Sequence, residues 1–107
     1  MQQFSGTENY YRTPTCQITD GMKAVADQAG AYWLVTDIGA YMLDPVLKTY
    51  PIVFWVLKVK DGKAVLEAWD DIPGKRLFSH HYAHTDFPEG EWKLYYQDNV
   101  LFLPSEY

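Results

Sequence analysis

Apolar residues recur at helical spacing in two consecutive stretches near the start of the chain and at strand spacing after Pro51. In ITDGMKAVADQAG, Met22, Val25, Ala26 and Ala29 fall at i, i+3, i+4 and i+7, one face of an amphipathic helix. Thr19 or Asp20 supplies an N-cap oxygen, and Gly30 stands where a C′ residue takes φ > 0. The next run, AYWLVTDIGAYMLD, puts Ala31, Leu34, Val35, Ile38 and Met42 on one side and Trp33, Asp37, Ala40 and Asp44 on the other. It stops at Asp44-Pro45, because a residue before proline is disfavoured in the α region. The two runs predict helices bent at Gly30, or one kinked helix.

The segment IVFWVLKVK alternates Val53, Trp55, Leu57 and Val59 with Ile52, Phe54, Val56, Lys58 and Lys60. Both faces are apolar at its start and one turns polar at its end, the pattern of a central strand. Asp61-Gly62 predicts a two-residue type I′ turn, whose central residues both need φ > 0. The returning strand KAVLEAWD has Val65, Glu67 and Trp69 on one face and Ala64, Leu66 and Ala68 on the other. IPGKR reads as a turn and RLFSHHYAH as a third strand; TDFPEG breaks the pattern, and EWKLYYQ and VLFLP predict a hairpin about Asp98-Asn99. The expected fold class is α+β, with two N-terminal helices packed on one face of a five-stranded antiparallel meander sheet. Nothing repeats and no linker divides the chain, so residues 1–107 read as a single domain.

Composition narrows the function. With 48% hydrophobic and 17% aromatic residues the chain is not a disordered one. Fourteen acids against nine bases give a net charge of −5, which argues against a direct nucleic-acid binder and for attraction to a basic protein surface. The lone Cys16 has no partner for an internal disulfide and reads as a small packing residue in a reducing compartment. MQQFSGTENYYR lacks a basic flank followed by an apolar run, and no stretch approaches 18 apolar residues. A cytoplasmic protein without membrane contact is expected.

Candidate chemistry is sparse. All three histidines lie in HHYAHTD, but on a strand His80 and His81 point to opposite faces, leaving His80, His84 and Asp86 too widely spaced to chelate a metal. Cys16 with His84, or Asp70 with Asp71, lacks any accompanying oxyanion or activation pattern, and the turn before Ile72-Pro73-Gly74 accounts for the aspartates. No phosphate-cradling glycine loop is present. The expectation is a protein that binds, with no catalytic residue, no metal and no cofactor. Buried Trp and Tyr need partners for their polar atoms, so part of the aromatic set reaches the surface. Trp33, Tyr41, Trp55 and Tyr95 are candidates for an aromatic pocket that takes a small molecule such as a nucleotide signal.

The segments GTENYYR, TDGMKAVADQAGAYWLVTDI, YAHTDFP and NVLFLPSEY resemble a family of small bacterial and phage-borne proteins of unknown function. The match covers both ends and the helical block and thins between Pro45 and Phe78. The resemblance transfers no catalytic role; it implies small cytosolic proteins, often of phages and mobile elements, among which inhibition of host defence systems such as CRISPR recurs. In that setting an acidic domain can mimic DNA and cover the basic nucleic-acid groove of a host defence effector. Asp70, Asp71, Asp86, Glu89 and Glu91, around two turns, are the carboxylates expected to do so. Within FSGTENYYRTP, Phe4 and Tyr10 or Tyr11 are expected to close the core, with Arg12 paired to a carboxylate.

Overall fold

Two three-residue strands precede the helices, β1 (Tyr10–Arg12) and β2 (Gln17–Thr19), paired antiparallel with Tyr11 opposite Ile18. They come from a computed structural model that describes residues 10–13, 15–71, 74–85 and 87–106. The expected placement of Phe4 lies outside the described residues. Thr13 closes the turn between the two strands: its amide and its hydroxyl each donate to the Cys16 carbonyl at 2.8 Å, and the Cys16 amide donates back to the hydroxyl at 3.2 Å. Cys16 is buried there, as expected of a packing residue, and burial pushes its thiol up against the opposing hydrogen bonds from Thr13 and Thr15.

Helix α1 (Asp20–Ala29) begins where its cap predicts: the Thr19 hydroxyl accepts from the Met22 amide. It ends at Gly30, at φ 62° and ψ 37°, a left-handed conformation that suits a residue without Cβ. Helix α2 (Tyr32–Tyr41) follows, with Leu34, Val35 and Ile38 buried. Among the described residues no helix is long and apolar enough to cross a membrane.

Strands β3 (Ile52–Lys60), β4 (Lys63–Trp69), β5 (Arg76–Tyr82), β6 (Gly90–Gln97) and β7 (Val100–Phe102) complete the sheet. The two hairpin turns form as the sequence predicts, with positive φ at Asp61 and Gly62 and at Asp98 and Asn99. The expected five-stranded antiparallel meander does not. The sheet has seven strands in the order β1-β2-β7-β6-β3-β4-β5, and β2 runs parallel to β7 through Gln17 opposite Val100 and Ile18 opposite Leu101. The helices therefore follow the first two strands instead of opening the fold. β6 leaves the order of the chain as well, since it pairs with β3 on the side away from β4. Three-residue strands are too short for alternation to announce them, and the meander rested on the tendency of consecutive strands to be neighbours, which fails between β5 and β6.

β3 lies between β4 and β6, so its apolar start is covered laterally on both sides. Val53, Trp55, Leu57 and Val59 face the helices and are buried. Their cross-strand partners continue that face through Leu66 and Ala68 on β4, Leu94 and Tyr96 on β6, and Leu101 on β7. Met22, Ala26, Leu34, Val35 and Ile38 close the core from the helical side.

Candidate functional site

Period-two alternation fixes what stands on the other face of the sheet. Cross-strand register aligns His81, Val65, Lys58 and Glu91 in one row and Ser79, Glu67, Val56 and Lys93 in the next. A third row runs Trp69, Phe54, Tyr95 and Phe102 across four strands. Beyond Lys58, at the Asp61-Gly62 turn, Lys60 stands opposite Lys63. α2 packs on the opposite face, where Tyr41 stacks on Trp55 at 6.2 Å and tilts against Phe78 at 4.7 Å.

Glu67 organises the charged rows. Its side chain is only 8% exposed, yet it accepts from three donors: Lys58 Nζ at 3.2 Å, Arg76 Nη1 at 3.3 Å and Trp69 Nε1 at 3.2 Å. Burial pushes its carboxyl up, but the Lys58 ammonium, the Trp69 indole and the Arg76 guanidinium outweigh it and hold the group below the usual carboxylate range. The cations keep contact with water, their side chains being 50% and 55% exposed.

Charge is thus segregated. Among the described residues of these rows and the adjoining turn, Lys58, Lys60, Lys63, Arg76 and Lys93 stand with Glu67 and Glu91, although acids outnumber bases in the chain as a whole. A cavity of about 270 Å³ lies over Val56 between Lys58, Lys93 and Trp69, with the carboxylates of Glu67 and Glu91 also on its wall. A wider one, about 740 Å³, opens at the hairpin end beside Lys60, Lys63 and His81. The aromatic row borders the cationic ones: the Phe54 and Tyr95 rings meet edge-on at 4.7 Å, and Trp69 and Phe54 are half-buried. Sequence reading identified none of the lysines as a site. The signal was present in the alternation of Lys58 and Lys60 with Val59, but the net charge of the whole chain hid it.

The expected acidic surface is not gathered in one place. Asp70 and Asp71 follow β4 at Trp69, whereas Glu91 stands opposite Lys58 and Glu89 reaches the hairpin, its Oε1 accepting from the Asp61 amide at 3.0 Å. Lys58 pairs with Val65 and Phe54 with Trp69, so the two groups are offset by four residues along β4, roughly 13 Å at about 3.3 Å per residue. Asp70 is also engaged locally, its Oδ1 accepting from the Lys75 amide at 2.7 Å. Asp86 lies outside the described residues.

The four aromatic candidates divide as well. Trp33, Tyr41 and Trp55 are on the helical side and Tyr95 on the other, beside Phe54 and Phe102. Trp55 is wholly buried and lines no open pocket. Trp33 instead packs edge-on against Tyr82 at 5.1 Å and Phe87 at 6.4 Å. Among the described residues no three His, Cys, Asp or Glu side chains converge as metal ligands would.

A family model matches the chain over residues 1–107. The chain belongs to DUF6876, a family of unknown function. No significant match is found among curated proteins or among solved structures. The motif blocks that signal DUF6876 meet in space: Ala29, Gly30 and Trp33 of AGAYWL face His84, Thr85 and Phe87 of the YAHTDFP segment across a cleft of about 280 Å³. YYR and LFLP meet likewise through β2, which pairs with β1 on one side and β7 on the other. These motifs join elements distant in the chain, which is a structural use.

Proposed function

We propose that this protein acts by binding single-stranded nucleic acid on the face of its sheet opposite the helices, without catalysis. The observation that carries this reading is the segregation of charge: five cationic side chains on four adjacent strands, bordered by the half-buried rings of Trp69, Phe54 and Tyr95. Cations that follow a phosphate backbone beside aromatic faces on which bases stack make a sequence-tolerant platform. The net charge of −5 repels nucleic acid at a distance, but a face is felt within a Debye length of about 8 Å at physiological salt, where the lysines dominate. Aromatic rings favour nucleic acid over an acidic protein as the partner, because every base offers a π-face. In the phage and mobile-element setting that the resemblance implies, such a face would inhibit host defence by withholding the nucleic acid an effector engages.

The test is fluorescence anisotropy with a labelled oligothymidylate across a salt series. Four phosphates neutralised predict a loss of affinity of roughly 50-fold between about 50 and 200 mM salt. Lys58→Glu with Lys93→Glu should weaken binding at every salt and flatten the slope by about two contacts. Binding that ignores both salt and the double variant would overturn the reading. Capture of polyglutamate with no binding of the oligonucleotide would overturn it too, and would move the partner to an acidic protein.

A further inference from the structure

The outer edge of β5 has no strand beside it among the described residues. β5 and β1 end the sheet, but β1 offers three residues and β5 seven. Register shifts at the start of β5, where Ala68 pairs with Phe78 and Trp69 with Arg76, so Leu77 is bulged out of the ladder and the regular edge is Phe78–Tyr82. Unpaired edges are ordinarily blunted by Lys, Pro, an inward charge or a bulge, and here the bulge stands only at the start of the strand. The run FSHHY carries no Lys, no Pro and no carboxylate.

Beside this edge, on the helical side, stand Leu43 and Val46, 65% and 61% exposed, the most exposed of the large apolar side chains described. A groove of about 540 Å³ runs between them and Tyr41, Leu77 and Phe78. An edge strand with an apolar shoulder is the geometry of strand addition, in which main-chain bonds give affinity and a neighbouring pocket gives specificity.

We propose that a second copy of this chain occupies the edge, β5 pairing antiparallel with β5 about a two-fold axis through His80. The strand is self-complementary in that register. Phe78 of each copy falls opposite Tyr82 of the other and Ser79 opposite His81, so the axis generates two aromatic cross-strand pairs on the helical side. The middle of the strand carries no fixed charge, so nothing of like sign is forced across the axis. Strand pairing alone falls short of the roughly 1,000 Å² that a specific interface clears; the Leu43 and Val46 shoulder, lying beside Phe78, adds apolar area where Tyr82 of the second copy arrives. Pairing at this edge leaves the basic face uncovered and joins the two copies' faces into one sheet surface.

Light scattering after size exclusion, from micromolar to submillimolar protein, reads the proposal directly. The expected mass rises from 12.4 kDa towards twice that value with concentration. Leu43→Glu with Val46→Glu changes two exposed side chains, so the far-UV circular dichroism should stay as it is and the dimer should be lost. His80→Cys places a thiol on the axis and should give a covalent dimer on mild oxidation, whereas Ala24→Cys, exposed on α1 where that helix packs against β1, β2 and β7, should not. A mass that stays monomeric throughout overturns the proposal. So does a dimer that survives the double variant and forms no cross-link through position 80.

Discussion

Tyr82 Oη donates to Asp37 Oδ2 at 2.8 Å, tying the last residue of β5 to the middle of α2. The helical pattern assigns Asp37 to the outward side of its helix, yet it is half-buried because the end of β5 lies against that side. Burial, together with hydrogen bonds to Tyr41 and Asp37, pushes the Tyr82 phenol well above its ordinary range, so the phenol keeps its proton as donor. Tyr82→Phe keeps the ring that packs against Trp33 and removes only the donor. The expected loss is roughly 1.5–3 kcal/mol, the range for a hydrogen bond to a charged group, read as a lower urea midpoint at unchanged slope. Asp37→Asn keeps an acceptor and should lose less. Equal midpoints for wild type and Tyr82→Phe would show that the bond is not formed in solution.

α2 approaches the strand turn closely at Gly39. A Cβ there would run into the Thr15 side chain and come within 3.1 Å of its backbone carbonyl carbon. Thr15 is itself held, its hydroxyl donating to the Thr36 carbonyl at 3.2 Å. Alanine is the better helix former by about 1 kcal/mol, but overpacking costs roughly 1–3 kcal/mol where backbone cannot yield. Gly39→Ala is therefore expected to destabilise, and Ala40→Gly, one residue along on the exposed side, to cost only its helix propensity of about 1 kcal/mol. Thermal unfolding of the pair separates the two causes. A higher Tm for Gly39→Ala would mean that α2 stands further from Thr15.

Local chemistry was legible in the sequence where a short window carries it. Thr19 and Gly30 mark both ends of α1, and Asp61-Gly62 and Asp98-Asn99 make their turns. Val53, Trp55, Leu57 and Val59 are the buried face of a central strand, as their alternation says. What stayed hidden depends on pairing between distant segments. Gln17–Thr19 has three residues and no period, and only its parallel neighbour Val100–Phe102 makes it a strand. The site was obscured for a related reason. Net charge is a sum over all surfaces, whereas Lys58, Lys63 and Lys93 come together only once β3, β4 and β6 are set side by side. Likewise Asp70 and Glu91 look like neighbours of two turns until register shows them offset along a strand.

Glu67 links stability to pH with a definite sign. Its folded carboxyl lies below the usual range because Lys58, Trp69 and Arg76 together outweigh its burial. The folded state therefore binds the proton less readily than the unfolded chain, whose Glu titrates near about 4.3. The stabilisation is fully present above that value and is lost as pH falls through the lower folded pKa. Glu67→Gln removes it at every pH: the variant should be less stable than wild type at neutral pH, because Lys58 and Arg76 lose their buried counter-charge. The gap between the two proteins should then close in acid. The same substitution leaves the basic face one charge more positive, so oligonucleotide binding should tighten even as the fold weakens. Opposite signs for the two readouts distinguish electrostatics from simple loss of structure, which would lower both. Urea titrations of both proteins from neutral to acid pH, paired with anisotropy at a fixed salt, make the comparison. A gap that stays constant into acid would mean that Glu67 is not held ionised by its three donors.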